Sequence, residues 1–148
     1  MRNSVILLLG ALFWSNNTLA QEHMACHNLD YDYQQQTSEQ LRAIAASCKS
    51  SNVSHLYYNR AYHADLLKEG EALSGIVAAS GRDLTRHIEA YRMYIALIEA
   101  FATSWYPDSE ARAVFLNQEY DRRGEVAELR LHGYDRLADL KDKQITFP

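Results

Sequence analysis

From Thr37 onward few residues stop a helix: Gly70, Gly75, Gly81, Gly124 and Gly133, then Pro107 and the terminal Pro148. The stretches between them are filled with Ala, Leu, Glu, Gln and Arg, which cost little in a helix. Punctuation this sparse predicts an all-α fold. The clearest element lies between Asp83 and Pro107, where Leu84, Ile88, Tyr91, Ile95, Ile98 and Ala102 return every three or four residues. A second row, His87, Tyr94, Phe101 and Trp105, runs beside the first, and an apolar face that wide predicts the central helix of a bundle.

The other helices follow from caps and stripes. Thr37 with Gln40 three residues later is a capping-box pattern, and Leu41, Ile44, Ala45 and Cys48 form the stripe of a first helix. A second helix starts near Val53 and runs to Lys68, with Gly70 and Gly75 weakening its extension to Val77; a break is expected at Ala79-Ser80-Gly81. Pro107 and Asp108 open a fourth helix, with Ala111, Val114, Phe115 and Gln118 expected to face inward. Gly124 marks or weakens the junction to a fifth, whose apolar line is Val126, Leu129, Gly133, Leu137 and Leu140. Helix starts near 37, 53, 83, 108 and 125 keep no fixed period. The expectation is therefore an irregular four- to five-helix bundle of αα-hairpins, spanning 37–143, with a tail at 144–148.

The first twenty residues read as a leader rather than as part of that bundle. Arg2 precedes the apolar run Val5–Trp14, and Thr18-Leu19-Ala20 places small residues before a cleavage point, the tripartite pattern of a secretory signal peptide. The run is too short to span a bilayer, so no transmembrane anchor is expected after processing. Cys26 lies too far beyond the run to read as a lipidation site. Residues 21–36 read as an irregular or extended segment. Export gives the two cysteines, Cys26 and Cys48, a meaning: in an oxidising compartment they pair as a disulfide that ties this segment to the first helix. The expected location is the periplasm, with the extracellular space as the alternative. In a eukaryotic host Asn52-Val53-Ser54 would be a glycosylation acceptor.

Charge and motifs exclude more than they identify. A net charge of -4 argues against a nucleic-acid partner. Nucleophile, phosphate-loop, dinucleotide and metalloprotease signatures are missing from the sequence, so an enzyme ranks last and no resident cofactor is expected. Two metal readings have a chemical basis. His63 and His87 sit on the stripes of adjacent helices, and Asp83 lies one turn before His87; imidazoles with a carboxylate suit Zn or Cu. Cleavage after Ala20 places His23 third from a free amine in Gln21-Glu22-His23, a geometry for square-planar Cu(II) or Ni(II).

Tyrosine is over-used, with ten in the chain. Tyr57, Tyr58 and Tyr62, with Arg60 among them, cluster on the second helix, and Tyr31 and Tyr33 can extend the group. Tyr and Arg are enriched where proteins bind proteins. The leading expectation is an exported, non-enzymatic protein-binding module, of the periplasmic adaptor, inhibitor or immunity type, whose partner is another exported or envelope protein. The alternative is a small metal- or ligand-binding protein using the His63/His87 region.

Overall fold

The structure, a computed structural model, describes residues 24–30, 33–79 and 81–144. The stretch 1–20 that reads as a leader, together with His23, Tyr31 and residues 145–148, lies outside them. Within the described residues the fold is an all-α bundle with no strand. A single helical turn at 24–27 and a 3-10 turn, Tyr33–Gln35, precede five α-helices: α1 Ser38–Ser47, α2 Ser51–Ala78, α3 Leu84–Trp105, α4 Ser109–Leu131 and α5 Asp135–Gln144. None of the described helices is long and apolar enough to cross a membrane.

Three helices begin on side-chain caps. Thr37 accepts from the Gln40 amide while the Gln40 side chain accepts from the Thr37 amide, closing the capping box. Ser50 caps α2 and Asp108 caps α4 through the amides three residues on. α4 ends in a Schellman motif: Tyr134 N–H donates to Leu129 C=O, and Gly133 stands at φ +87°, where a side chain would be strained.

The disulfide joins Cys26 to Cys48, with an S–S distance of 2.06 Å. It holds the 24–30 segment against α1 and α2, and that segment is part of the core rather than a strap over it. Ala25 and Leu29 are buried, the Tyr57 hydroxyl donates to Ala25 C=O at 2.8 Å, and Arg112 pairs with Asp30 at 2.7 Å. The expected irregular, extended segment thus contains a helical turn and a 3-10 turn.

Apolar packing is divided unequally. The main core gathers Ala25, Leu29, α1, the first half of α2, the second half of α3 and the first half of α4 around Leu56, Tyr57, Leu116 and Tyr120. A second cluster at the other end contains only Leu66, Leu84, Ile88 and Leu131 as buried members. The central element is α2, which packs against α1, α3 and α4.

Several expectations change at this level. The second helix is continuous to Ala78 despite its glycines, because tertiary packing outweighs about 1 kcal/mol of propensity per glycine. Gly124 does not divide the fourth helix: α4 runs through it, and the fifth helix begins at Asp135. A Cβ at Gly124 would stand 3.0 Å from His63 Cε1, so this glycine permits a close approach of α2. Of the four residues expected to face inward on α4, Phe115 packs partly buried against the main core, whereas Ala111, Val114 and Gln118 are exposed; the fully buried positions in this stretch are Arg112, Ala113, Leu116, Asn117, Glu119 and Tyr120. Leu137 and Leu140, expected on an apolar line, are exposed on α5. The first row on α3 does face the bundle, but the second does not: only Tyr94 turns partly inward, while His87, Phe101 and Trp105 are exposed.

Candidate functional site

The outer face of α3 carries four large apolar side chains in succession, Met93, Leu97, Phe101 and Trp105, exposed to 73, 69, 44 and 69%. Each step of four residues advances about 40° around a helix. The row therefore winds from the side opposite the core, at Met93, to the α4 flank at Phe101 and Trp105. There it merges into an aromatic group: Phe101 stacks on Trp105 at 5.1 Å and meets Phe115 of α4 at 5.8 Å, and Tyr106 stacks on Phe115 at 5.1 Å. Single exposed apolar residues are ordinary, whereas a contiguous row with an aromatic end marks an interaction surface. An i, i+4 row is also the ridge that one helix inserts into the groove of another.

Behind α3 lies a layer of buried polar side chains. Arg60 of α2 has no exposed side-chain surface and grips Glu99 of α3 with two hydrogen bonds, Nε at 3.1 Å and Nη2 at 2.8 Å. Nη2 also donates to Leu29 C=O, and the guanidinium lies 3.9 Å from the centre of the Tyr33 ring. Tyr120 of α4 donates to Glu99 at 2.6 Å. Burial works against the charge on Arg60, but Glu99 outweighs it and holds the pKa above the ordinary guanidinium value.

His63 stands one turn further along α2, packed between the rings of Tyr62, Tyr91 and Tyr120. The Tyr91 hydroxyl hydrogen-bonds Nδ1. Burial pushes the imidazole pKa down to about 4, against upward pulls from the Tyr120 backbone and Asp121. At neutral pH the ring is uncharged. With the phenol donating to Nδ1, the ring proton sits on the buried Nε2.

Two hollows flank this layer. One, of about 380 Å³, opens between α2, α3 and the Tyr33–Gln35 turn and is lined in part by Tyr33, Arg60, His63 and Tyr120. The other, of about 520 Å³, lies over the second apolar cluster and is lined in part by Leu66, His87, Tyr91 and Arg123. The His63–Tyr91 pair separates them, since His63 lines one hollow and Tyr91 the other.

The residues singled out in the sequence are thus dispersed. Of the partner-binding group, Tyr57 and Arg60 are buried to 0 and 3% exposure, and both are corrected from surface to core. Their helical phase turns them toward Ala25 and Glu99, which supply the polar partners they need. Tyr58 is exposed, and Tyr62 lies over the α2–α4 seam, donating to Glu128 at 2.6 Å. Of the metal group, His63 is buried among tyrosines, His87 lines the other hollow from an exposed position and Asp83 is exposed at the start of α3. Among the described residues no three His, Cys, Asp or Glu side chains converge on a point that could hold a metal ion. Asn52 donates through Nδ2 to Glu110. Met93, Leu97 and Glu99 escaped the sequence reading. The signal for the first two was available, as they continue the Phe101–Trp105 spacing backwards along α3. No family model, curated protein or solved structure matches the chain.

Proposed function

We propose that the protein is an exported, non-enzymatic protein-binding module, and that it holds its partner on the outer face of α3. The supporting observation is the exposed row Met93, Leu97, Phe101 and Trp105. An apolar ridge at helical spacing fits a partner that presents an amphipathic helix or a groove between two helices; Trp105 is of a type that dominates binding energy, and Phe101 of a type enriched at interfaces. This reading relocates the binding surface from the tyrosines of α2 to α3. The leader at 1–20 and the Cys26–Cys48 disulfide support an exported protein with another exported or envelope protein as partner. We assign the periplasm as its compartment, the extracellular space being the alternative.

A photo-crosslinking residue placed at Leu97 in the native host tests the surface. The expected result is a discrete adduct with a second protein from position 97. No such adduct is expected from Lys68, exposed on α2, and the Leu97 adduct should be lost when Phe101→Glu is added. A Leu97 adduct of twice the chain's own mass, with a dimer in light scattering, would replace the foreign partner by a second copy. Absence of any adduct from positions 93, 97 and 101, with the purified protein monomeric, rejects the docking face. The mass of the protein recovered from the periplasm tests the export step, with cleavage after Ala20 expected.

A further inference from the structure

The larger hollow, over the second apolar cluster, carries an inference independent of the α3 ridge. It runs between α3 and α5. Leu84 and Tyr94 mark its extent on α3, about 15 Å of helix apart, and Asp139 and Asp142 line it from α5. All four buried members of the cluster, Leu66, Leu84, Ile88 and Leu131, belong to its lining. The cover over them is incomplete, since Ala90 is exposed and Tyr91 and Ala127 are only half-buried. Leu137 and Leu140 of α5 are exposed and take no part in the lining.

Charge narrows what can cover it. Arg123 pairs with Asp142, and Arg130 with Asp139 and Asp142, so the acids and arginines of the wall neutralise one another. His87, the other basic residue there, stays exposed to water. Such a wall suits an uncharged apolar occupant, because a charged one would give up water for neighbours that are already matched. The chain itself delivers one. The pairs Arg130–Asp139 and Arg123–Asp142 step backward along α4 as α5 advances, so the two helices are antiparallel and α5 ends beside Arg123. Arg123 in turn lies 4.7 Å from the centre of the Tyr94 ring, at one end of the hollow. α5 stops at Gln144, and the sequence continues with Ile145-Thr146-Phe147, uncharged and outside the described residues. Phe147 is three positions beyond Gln144, an extended reach of about 10 Å, which brings its ring to Tyr91 and Ile88 with α5 left in place. We propose that Phe147 folds back into this hollow and covers the second apolar cluster. A tether this short holds the ring at about millimolar effective concentration, an advantage over a free ligand of the same chemistry. A hollow of about 520 Å³ has room for the ring.

NMR of the full chain with labelled Ile and Leu methyl groups tests this. The expected result is a set of through-space contacts from the Phe147 ring to the methyls of Ile88 and Leu131, with ring-current shifts at both. Phe147→Ser should erase those shifts and quicken amide exchange in α5 by at least about tenfold, the effect of losing a buried ring. Leu140→Ser, on the same helix but outside the lining, should leave the shifts as they are. No contact from Phe147 to either methyl would reject the proposal. N-phenyl-1-naphthylamine, an uncharged apolar probe, tests for a foreign occupant. Saturable probe shifts at Ile88 in the native chain, equal to those in Phe147→Ser, would overturn the proposal in favour of an open ligand site. Contacts found only between differently labelled copies would overturn it in favour of a tail donated by a second molecule.

Discussion

The two ends of the bundle are held by different means. The stapled end has the disulfide, the larger apolar core and the buried Arg60–Glu99–Tyr120 cluster. The open end consists of α2 beyond Leu66, the start of α3, the last turns of α4, and α5. It has four buried apolar residues in its cluster and otherwise relies on pairs such as Arg130–Asp139, Lys141–Glu125 and Arg82–Asp135 across half-exposed side chains. Ile76, Tyr134, Leu137 and Leu140 stay exposed there. Solvent-exposed ion pairs contribute about 0–1 kcal/mol each, so they position α5 more than they stabilise it. The difference implies a gradient: local opening should begin at the open end, well below the free energy of global unfolding.

The largest expected effect comes from treating one ion pair in each end alike. Glu99→Ala leaves Arg60 charged and buried, and removes the acceptor of Tyr120. Breaking a buried pair in this way costs about 3–5 kcal/mol, measured by urea denaturation. Asp139→Ala at the open end removes a carboxylate that is more than half exposed, and should cost less than about 1 kcal/mol. Equal losses would break the comparison.

Removing the staple comes next. Cys26→Ser with Cys48→Ser frees a loop spanning 22 positions, worth about 3 kcal/mol in the loop-entropy model. Hydrogen exchange should quicken most around Ala25, Leu29 and α1 and least in α5. Uniform acceleration would mean that the two ends do not open separately.

This division explains which features could be read in the sequence. The Thr37–Gln40 cap, the Cys26–Cys48 pairing and the Leu84–Ala102 row are local or periodic, and all three stand in the structure. The inward face of α4 was illegible for a physical reason. Its interior positions are held by Arg112, Asn117 and Glu119, each satisfied by a partner distant in sequence: Asp30, Asn59 and Tyr94. A search for apolar periodicity passes over such a face and selects the exposed Val114 instead. The α3 ridge failed in the opposite direction. Leu97 and Phe101 look the same in sequence whether they fill a core or await a partner, and only the position of α2 and α4 behind α3 decides. Gly124 reads as a stop signal, yet its role is set by His63, sixty-one positions earlier.

His63 sits at the seam between the ends, and pH probes it. Its folded pKa of about 4 lies below the unfolded value of about 6.5. Below pH 6.5 the unfolded chain takes up a proton that the folded chain refuses, so stability is complete above that pH and declines as pH falls toward 4. The loss reaches about 3 kcal/mol. The groups facing the ring are Tyr62 on its own helix, Tyr91 from α3, and Tyr120 and Asp121 from α4. Asp65, held down by hydrogen bonds from Ser38 and Arg42, and Glu110, held down by Ser50 and Asn52, add a decline of the same sign, beginning at lower pH. Urea titrations at pH 7 and pH 4.5 should show the decline in the native chain and a much smaller one in His63→Gln. An identical slope in both would assign the acid sensitivity to the carboxylates.

The smallest effect asks whether the open end is loose because of its backbone or because of its packing. Gly75 lies in the second half of α2, and a Cβ built there meets nothing within 4 Å. Gly75→Ala should therefore stabilise the helix by about 0.5–1 kcal/mol, through lower backbone entropy in the unfolded chain and better helix propensity. Gly70 is only five residues away, but a Cβ there stands 3.1 Å from Ile88 Cδ1 and 3.2 Å from Leu131 Cδ1. Gly70→Ala pushes apart the few apolar contacts the open end has, and should destabilise. If backbone entropy sets the looseness, Gly75→Ala slows amide exchange from Glu71 to Ala78 and in α5 as well, because a firmer α2 carries its neighbours. If packing sets it, exchange slows along α2 alone and α5 keeps its rate. The structure favours the second outcome: α5 packs on α4 and meets α2 far less, so stiffening α2 leaves the contacts that hold α5 as they were.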